Sequence, residues 1–279
     1  MSSPRRSILC PNCRKLISRN EARCPYCGVS NPGSWWKNNL LTRGFRDADQ
    51  IVKVIIYGNI GLYLVSILID ASTSTLRLNP FSFLSPSNRG LFLMGATGTI
   101  PISQFDRWWT LVSANYLHGG ILHIFFNMFA FRQLAPFIIR EFGTHRMFSI
   151  YTVGGILGFF VSYVAGVRFT IGASAAICSL IGAALYYGKS RGGVYGQTIY
   201  KQVAGWALGI FLFGLLVPGI NNWGHGGGLL AGILFGALLG YHERRREGLS
   251  HKVLSGSCMV VTVGILAWAV ITAFVYRLS

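Results

Sequence analysis

Ser174 heads the stretch GASAAICSLIGAALYYG, residues 172–188, with small residues around it and an apolar helix behind it. A serine at the head of a membrane helix usually just hydrogen-bonds to a backbone carbonyl or a neighbouring helix. It becomes a nucleophile only if a base lies within about 3 Å to take its proton. His225 is the candidate base, and the chain offers three further polar residues in comparable settings, His118, His123 and Asn127. His123 and Asn127 are four residues apart and share one helix face. Their side chains, with the Ser174 backbone N–H at a helix N-terminus, are the candidate donors for an oxyanion.

The elements that must position these groups are membrane helices. The chain has 279 residues, 52% hydrophobic and only 12% charged, whereas a soluble domain carries about 25% charged residues. Apolar runs long enough to cross a bilayer recur throughout. The reading is an all-α polytopic membrane protein of seven spans, near 51–70, 117–138, 147–165, 174–188, 203–220, 223–242 and 253–276. Residues 71–110 are too broken by proline and glycine for a span and too apolar for a free loop, so they are expected in or on the membrane interface. The first 30 residues have no apolar h-region of a signal peptide.

The net charge of +17 invites a nucleic-acid role, but the placement of the charge argues against one. Twenty of the 25 lysines and arginines fall in segments that share a side with the N-terminus, and five (Arg77, Arg89, Arg107, Arg168, Arg277) fall on the other. Positive charge marks the cytoplasmic side, so the N-terminus is expected inside and the C-terminus outside. Even-numbered spans then start at the outer face. His118, His123 and Asn127 open the second, Ser174 the fourth and His225 the sixth. At about 1.5 Å per residue they lie within roughly 15 Å of one edge. Gly224, Gly228, Gly232, Gly236 and Gly240 recur every four residues on the sixth span, and Ser174, Cys178 and Gly182 on the fourth. Such small-residue ridges let helix backbones approach closely. If these two face each other, Ser174 meets His225.

No carboxylate lies inside any span, so the arrangement expected is a Ser–His dyad rather than a triad. The same absence counts against a carboxylate-relay transporter and an aspartyl intramembrane protease. The chain also lacks HExxH, the helix motif of zinc proteases.

The N-terminal segment reads CPNC, ten residues, then CPYCG. Cys10, Cys13, Cys24 and Cys27 at this spacing fit one tetrahedral structural zinc ion, with no open position for catalysis. The ten intervening residues allow a short hairpin and no core, so the metal would supply the folding energy. A cytoplasmic setting disfavours the alternative of two disulfides. The expected organisation is a zinc-ribbon-like module at 1–30, a linker at 31–50 with Trp35 and Trp36 suited to the membrane interface, a membrane core at 51–245, and a loop and additional helix at 246–279.

Over roughly residues 50–245 the chain resembles the rhomboid family of intramembrane serine proteases. The resemblance rests on DRWWTLVSANYLHGGILHIFFNMFAF, EFGTHRMFSIYTVGGILGFF, GASAAICSLIGA and GHGGGLLAGILFG. It implies a six-helix core with a seventh C-terminal helix. It also implies Ser174 as nucleophile, His225 as general base, His123 and Asn127 with the Ser174 amide as oxyanion hole, and His118 in support. Residues 71–110 would be the membrane-embedded first loop and the fifth span the lateral gate. No cofactor would act in catalysis. The substrates would be transmembrane proteins within the bilayer, cleaved near the outer face. Ala175 stands where the family motif GxSG has its second glycine. A methyl there either crowds the oxyanion site or is tolerated at the helix start. The alternative reading is an inactive rhomboid-like protein that binds transmembrane clients, its zinc module recruiting a cytoplasmic partner.

Overall fold

A computed structural model of the chain describes residues 7–11, 15–34, 48–69 and 84–278. Cys13, Trp35, Trp36, Asp70 and Arg77 lie outside the described residues. The chain divides into two compact units, Met1–Val54 and Ile55–Ser279.

In the first unit, β1 (Ser7–Leu9) pairs antiparallel with β2 (Leu16–Ser18), with Ile8 opposite Ile17. Cys10 therefore falls at the start of the connection between the strands. The second cysteine pair turns at Cys24–Gly28, where the Gly28 amide donates to the Cys24 carbonyl at 2.9 Å and Gly28 takes a φ of 71°. Ile17 packs with buried Cys10 and Cys24, and Ile8 and Val29 cover them. A small apolar cluster thus forms where none was expected, because the hairpin folds its one inward residue onto the cysteines.

The second unit is built of helices, α1 (Ala48–Ile69) reaching into it. Two short helices follow, α2 (Asn88–Leu93) and α3 (Thr99–Phe105), and then the turn α4 (Thr110–Ser113), which runs on into a 3₁₀ turn, Ala114–Tyr116. The Arg107 guanidinium donates to the carbonyls of Phe92 and Leu93, at 2.7 and 3.2 Å. Non-helical backbone at membrane depth needs such internal partners.

The long helices are α5 (Ile121–Phe142), α6 (Thr144–Val164), α7 (Ser174–Arg191), α8 (Gly193–Leu216), α9 (Asn222–Leu239) and α10 (Leu249–Leu278). With α1 they match the seven expected spans in number and order. Five are long and apolar enough to cross a membrane: α1, α5, α6, α8 and α10. The chain is an integral membrane protein. The exceptions are α7 and α9, the two that carry Ser174 and His225. Their glycine, alanine and polar residues lower their mean hydropathy. They pack on each other and on α6; α7 is largely buried, whereas α9 buries its glycine face and leaves Trp223, Leu230, Leu234 and Leu238 exposed. By contrast α8 is only 6% buried over its most apolar stretch, against 61% for α6.

Three expectations change at this level. The second long helix starts at Ile121, after Gly119 and Gly120, so His118 precedes it instead of opening it. The last long helix of the core stops at Leu239, and Gly240, with a φ of 70°, caps it instead of extending the glycine ridge. The ridge itself meets a different row. A Cβ on Gly228 would strike the Ala175 carbonyl, and one on Gly232 the Ser179 carbonyl. Gly236 faces Ala183. The partner row is Ala175–Ser179–Ala183, one residue beyond Ser174–Cys178–Gly182. Gly182 is still needed, since a Cβ there would strike the Leu229 carbonyl.

Candidate active site

Ser174 is the first residue of α7, and the loop before it is stitched down from both sides. Thr170 and Thr97 exchange backbone hydrogen bonds at 2.7 and 3.0 Å, and the Gly172 amide donates to the Ala114 carbonyl at 2.9 Å. Gly172 has a φ of 123°, a conformation that disfavours side chains. A Cβ on Gly172 would also sit 2.7 Å from His123 Nε2. Only glycine lets this loop pass so close to the imidazole.

His225 lies one turn into α9. Its Nε2 is 2.9 Å from Ser174 Oγ. Its buried Nδ1 has no hydrogen-bond partner among the described residues. Among the described residues, no carboxylate orients the ring. For Ser174 to donate to Nε2, the neutral ring must carry its proton on Nδ1.

His123 comes from the first turn of α5. Its Nδ1 accepts from the Gly119 amide at 3.2 Å. In the neutral ring the proton is then on Nε2, the nitrogen facing Gly172 and the Ser174 loop. That tautomer makes His123 a hydrogen-bond donor towards the serine. The backbone N–H groups of the first turn of α7 lack intrahelical acceptors, and the helix dipole adds positive potential there. His118 is fully buried, and its ring stands edge-on to His123 with centroids 5.1 Å apart.

Asn127 shares a face with His123, but its amide donates to the His123 carbonyl of its own helix at 2.8 Å. The structure therefore brings together Ser174, His225 and His123, with His118 behind. That bond uses one of the two Asn127 amide protons, and among the described residues no hydrogen bond joins Asn127 to Ser174 or His225. Spacing does not reveal such a competing local acceptor.

Ala175 is 1% exposed. Its methyl packs with Ile102, Leu111, Ala114 and Phe159, and a Cβ on Gly158 would come within 3.0 Å of it. The extra methyl is accommodated by the glycine opposite, on α6, and lies in this apolar cluster. Ala175→Gly is accordingly expected to leave the catalytic rate within about threefold. It should lower stability by about 1–2 kcal/mol, from the helix cost of glycine and the cavity left behind. Thermal unfolding in detergent beside a cleavage assay checks both. A large gain in rate would show that the methyl obstructs the site after all.

Elsewhere, the sulfurs of Cys10, Cys24 and Cys27 lie within 4.8 Å of one another, Cys10 and Cys27 at 3.6 Å. Thiolates on a tetrahedral zinc, with Zn–S of about 2.3 Å, stand about 3.8 Å apart. Three soft sulfur donors at this separation suit such a metal, and these residues are able to hold one.

Residues 106–242 match the family described as Rhomboid domain. Rhomboid protease GluP of Bacillus subtilis (strain 168) is 34% identical over 183 residues, covering 65% of this chain and 36% of that protein. RHOMBOID-like protein 6, mitochondrial, of Arabidopsis thaliana is 34% identical over 176 residues, covering 60% and 55%. Rhomboid-like protease 5 of Toxoplasma gondii is 27% identical over 193 residues, covering 64% and 22%. The matched part of this chain thus spans about half or less of the length of these relatives. The Ser174–His225 contact lies inside the matched region, and over residues 106–242 this chain is similar to the Rhomboid domain.

Proposed function

We propose that the chain is an intramembrane serine endopeptidase that cuts transmembrane segments of other proteins near the outer face of the bilayer. The observation that carries this reading is the 2.9 Å contact between Ser174 Oγ and His225 Nε2, made by residues 51 positions apart at the heads of two helices. Its chemistry is acyl transfer. As Ser174 Oγ bonds to the scissile carbonyl carbon, its proton passes to His225 Nε2. The carbonyl oxygen becomes an oxyanion, met by His123 Nε2–H and the first-turn amides of α7, with the second amide proton of Asn127 as a further donor. His225 then protonates the leaving amine as the C–N bond breaks. Water, with His225 again as base, hydrolyses the ester. No metal or cofactor has a part in these steps.

A helical substrate hides its carbonyl within its own hydrogen bonds, so the segments cut are those that unwind readily. The excess of lysine and arginine on one side supports a cytoplasmic N-terminus and an outer C-terminus. Ala175 and the double-cysteine module are the motives for an inactive client-binding protein, and the position of the Ala175 methyl weakens the first of them. The deciding test is a fluorophosphonate probe on the detergent-solubilised chain. Labelling of Ser174 that disappears with His225→Ala supports the protease. An unlabelled Ser174 in protein that is still folded would overturn it.

For residues 1–30 we propose a structural zinc site of Cys10, Cys13, Cys24 and Cys27. The module would act as a cytoplasmic docking piece joined by a linker at 31–50 to the membrane core at 51–245 and the additional helix at 246–279. Chelation is expected to unfold the module, with one zinc released per chain and rapid proteolysis near residues 19–34, while cleavage by the core continues. An unchanged proteolytic pattern after zinc removal would refute the metal site.

A further inference from the structure

The dyad is formed by two segments with no covalent link near the site, and the structure contains a side chain that joins them. Asn221 is the N-cap of α9, four residues before His225, whose amide donates to the Asn221 carbonyl at 3.1 Å. Its side-chain oxygen accepts from the Gly224 amide at 2.9 Å. Its two amide protons point the other way, one to Ser162 Oγ at 2.8 Å and one to Thr170 Oγ1 at 3.0 Å. Both donors and the acceptor oxygen of the side chain are thus in use.

The two hydroxyls it reaches belong to the framework that holds Ser174. Thr170 is four residues before Ser174, in the loop bridged to Thr97. Thr97 Oγ1 in turn accepts from Thr110 Oγ1 at 3.0 Å. Ser162 is on the last turn of α6, fully buried and bonded to the Gly158 carbonyl at 3.0 Å. Gly158 itself sits against the backbone of Gly224 and Gly228. One side chain thus connects the helix that carries the base, the loop that carries the nucleophile, and the helix on which both rest. The helix-capping bond alone would need only an acceptor. The second half of the amide has no role in capping.

We propose that Asn221 is a positioning residue of the dyad: by bonding Thr170 and Ser162 it sets the distance between Ser174 and His225. This rests on the catalytic reading given above for that pair, but not on the identity of any substrate. The displacement at stake is small. A shift of about 1 Å at a reacting pair costs on the order of a hundredfold in rate.

The experiment compares N221A, N221D and the double variant S162A/T170V on the full chain. N221D keeps the capping acceptor, and the two hydroxyls are able to turn and donate to it. The double variant keeps the cap and removes the bridge, together with the Ser162 bond to the Gly158 carbonyl of its own helix. Against a helix-destabilised transmembrane substrate, N221A and S162A/T170V are expected to lose about a hundredfold in kcat with KM within about threefold, and N221D to recover most of it. A second readout needs no substrate. In an S174C background, the pH profile of alkylation at position 174, followed by mass spectrometry on its peptide, reports the thiol's neighbour. A thiol beside a histidine ionises below its free pKa of about 8.5. H225A is expected to move that profile upward. N221A and S162A/T170V are expected to move it most of the same way.

If S162A/T170V leaves kcat and the alkylation profile at their original values, the bridge sets nothing and the proposal fails. It fails equally if H225A does not move the profile, since the two residues are then not in register. If the profile responds to H225A and N221A while the unaltered chain cleaves no substrate, the protease reading fails and the positioning role stands.

Discussion

Ser174→Ala and His225→Ala are each expected to lower kcat by about four to six orders of magnitude, with the double variant little worse than either single one. The two residues act as one unit. Without His225, Ser174 Oγ has no base to take its proton at 2.9 Å, and without Ser174 the imidazole has no nucleophile to serve. In such pairs removing one member costs nearly as much as removing both. The residual rate would come from oxyanion donors and substrate orientation, which both variants retain. Because His225 Nδ1 has no partner among the described residues, loss of His225 leaves none of their carboxylates uncompensated. The midpoint of thermal unfolding should therefore move by no more than about 2 °C for either variant, a shift that corresponds to about 1 kcal/mol or less. The assay is cleavage of a helix-destabilised transmembrane segment in proteoliposomes, with His123→Ala as a graded comparison. Loss of one oxyanion donor typically costs about 10²–10³ in kcat, well short of the dyad variants. Ser174→Ala protein that still cleaves at a tenth of the original rate would exclude Ser174 as the nucleophile.

The second large effect is expected at the contact between α7 and α9. A Cβ at Gly232 would fall on the carbonyl oxygen of Ser179, with the Ser179 Cα also only 2.7 Å away. These are backbone atoms, which cannot rotate aside as a flexible side chain can. Ser179 is held further by its own hydroxyl, which donates to the carbonyls of Ile150 and Ala176, at 2.8 and 2.7 Å. Gly232→Ala must therefore push the two helices apart. Overpacking of this kind typically costs about 1–3 kcal/mol. The same separation opens the contact between Ser174 and His225, each near the head of one of these helices, so kcat should also fall by roughly tenfold to a hundredfold. Gly226→Ala is the internal control. It lies on the same helix, beside His225, and an added Cβ there meets nothing within 4 Å. Its stability is expected to hold or to rise by up to about 1 kcal/mol, from the better helix propensity of alanine. Unfolding in mixed micelles checks both. Equal effects at 226 and 232 would mean that close approach of the backbones is not what the glycine at 232 provides.

Much of the site was legible because membrane helices obey simple local rules. Hydropathy marks their extent, lysine and arginine mark their sides, and together these put His123, Ser174 and His225 at the heads of the second, fourth and sixth long helices. Four-residue glycine spacing marked the face on which helices meet, and the close backbone approaches at Gly228, Gly232 and Gly236 are what that spacing serves. Local periodicity also produced two errors. Adjacent rows on a helix are about 100° apart, and four-residue spacing identifies both Ser174–Cys178–Gly182 and Ala175–Ser179–Ala183 as small. The crossing of α7 and α9 selects the second. Likewise the local pattern puts His118 on the same helix as His123, but Gly119 and Gly120 separate it from the helix start. Asn221, an asparagine ahead of an apolar helix, carries an ordinary N-cap signal and nothing more in the local sequence. Its bonds to Ser162 and Thr170 run across 59 and 51 residues, and no local pattern encodes those.

The sequence by itself determined that this is a helical membrane protein, which helices carry polar groups at their heads, and which four cysteines share a knuckle-like spacing. These follow from composition and from periods of three to four residues, which act within one helix. Tertiary structure alone decided that Ser174 and His225 stand 2.9 Å apart, that the methyl of Ala175 goes into a space left by Gly158, and that Asn127 is bonded to its own helix. The first two depend on how the backbone of one helix lies against another, and the third on which acceptor wins a single rotatable amide. A shift of about 1 Å between helices leaves every local pattern unchanged and is enough to part a reacting pair.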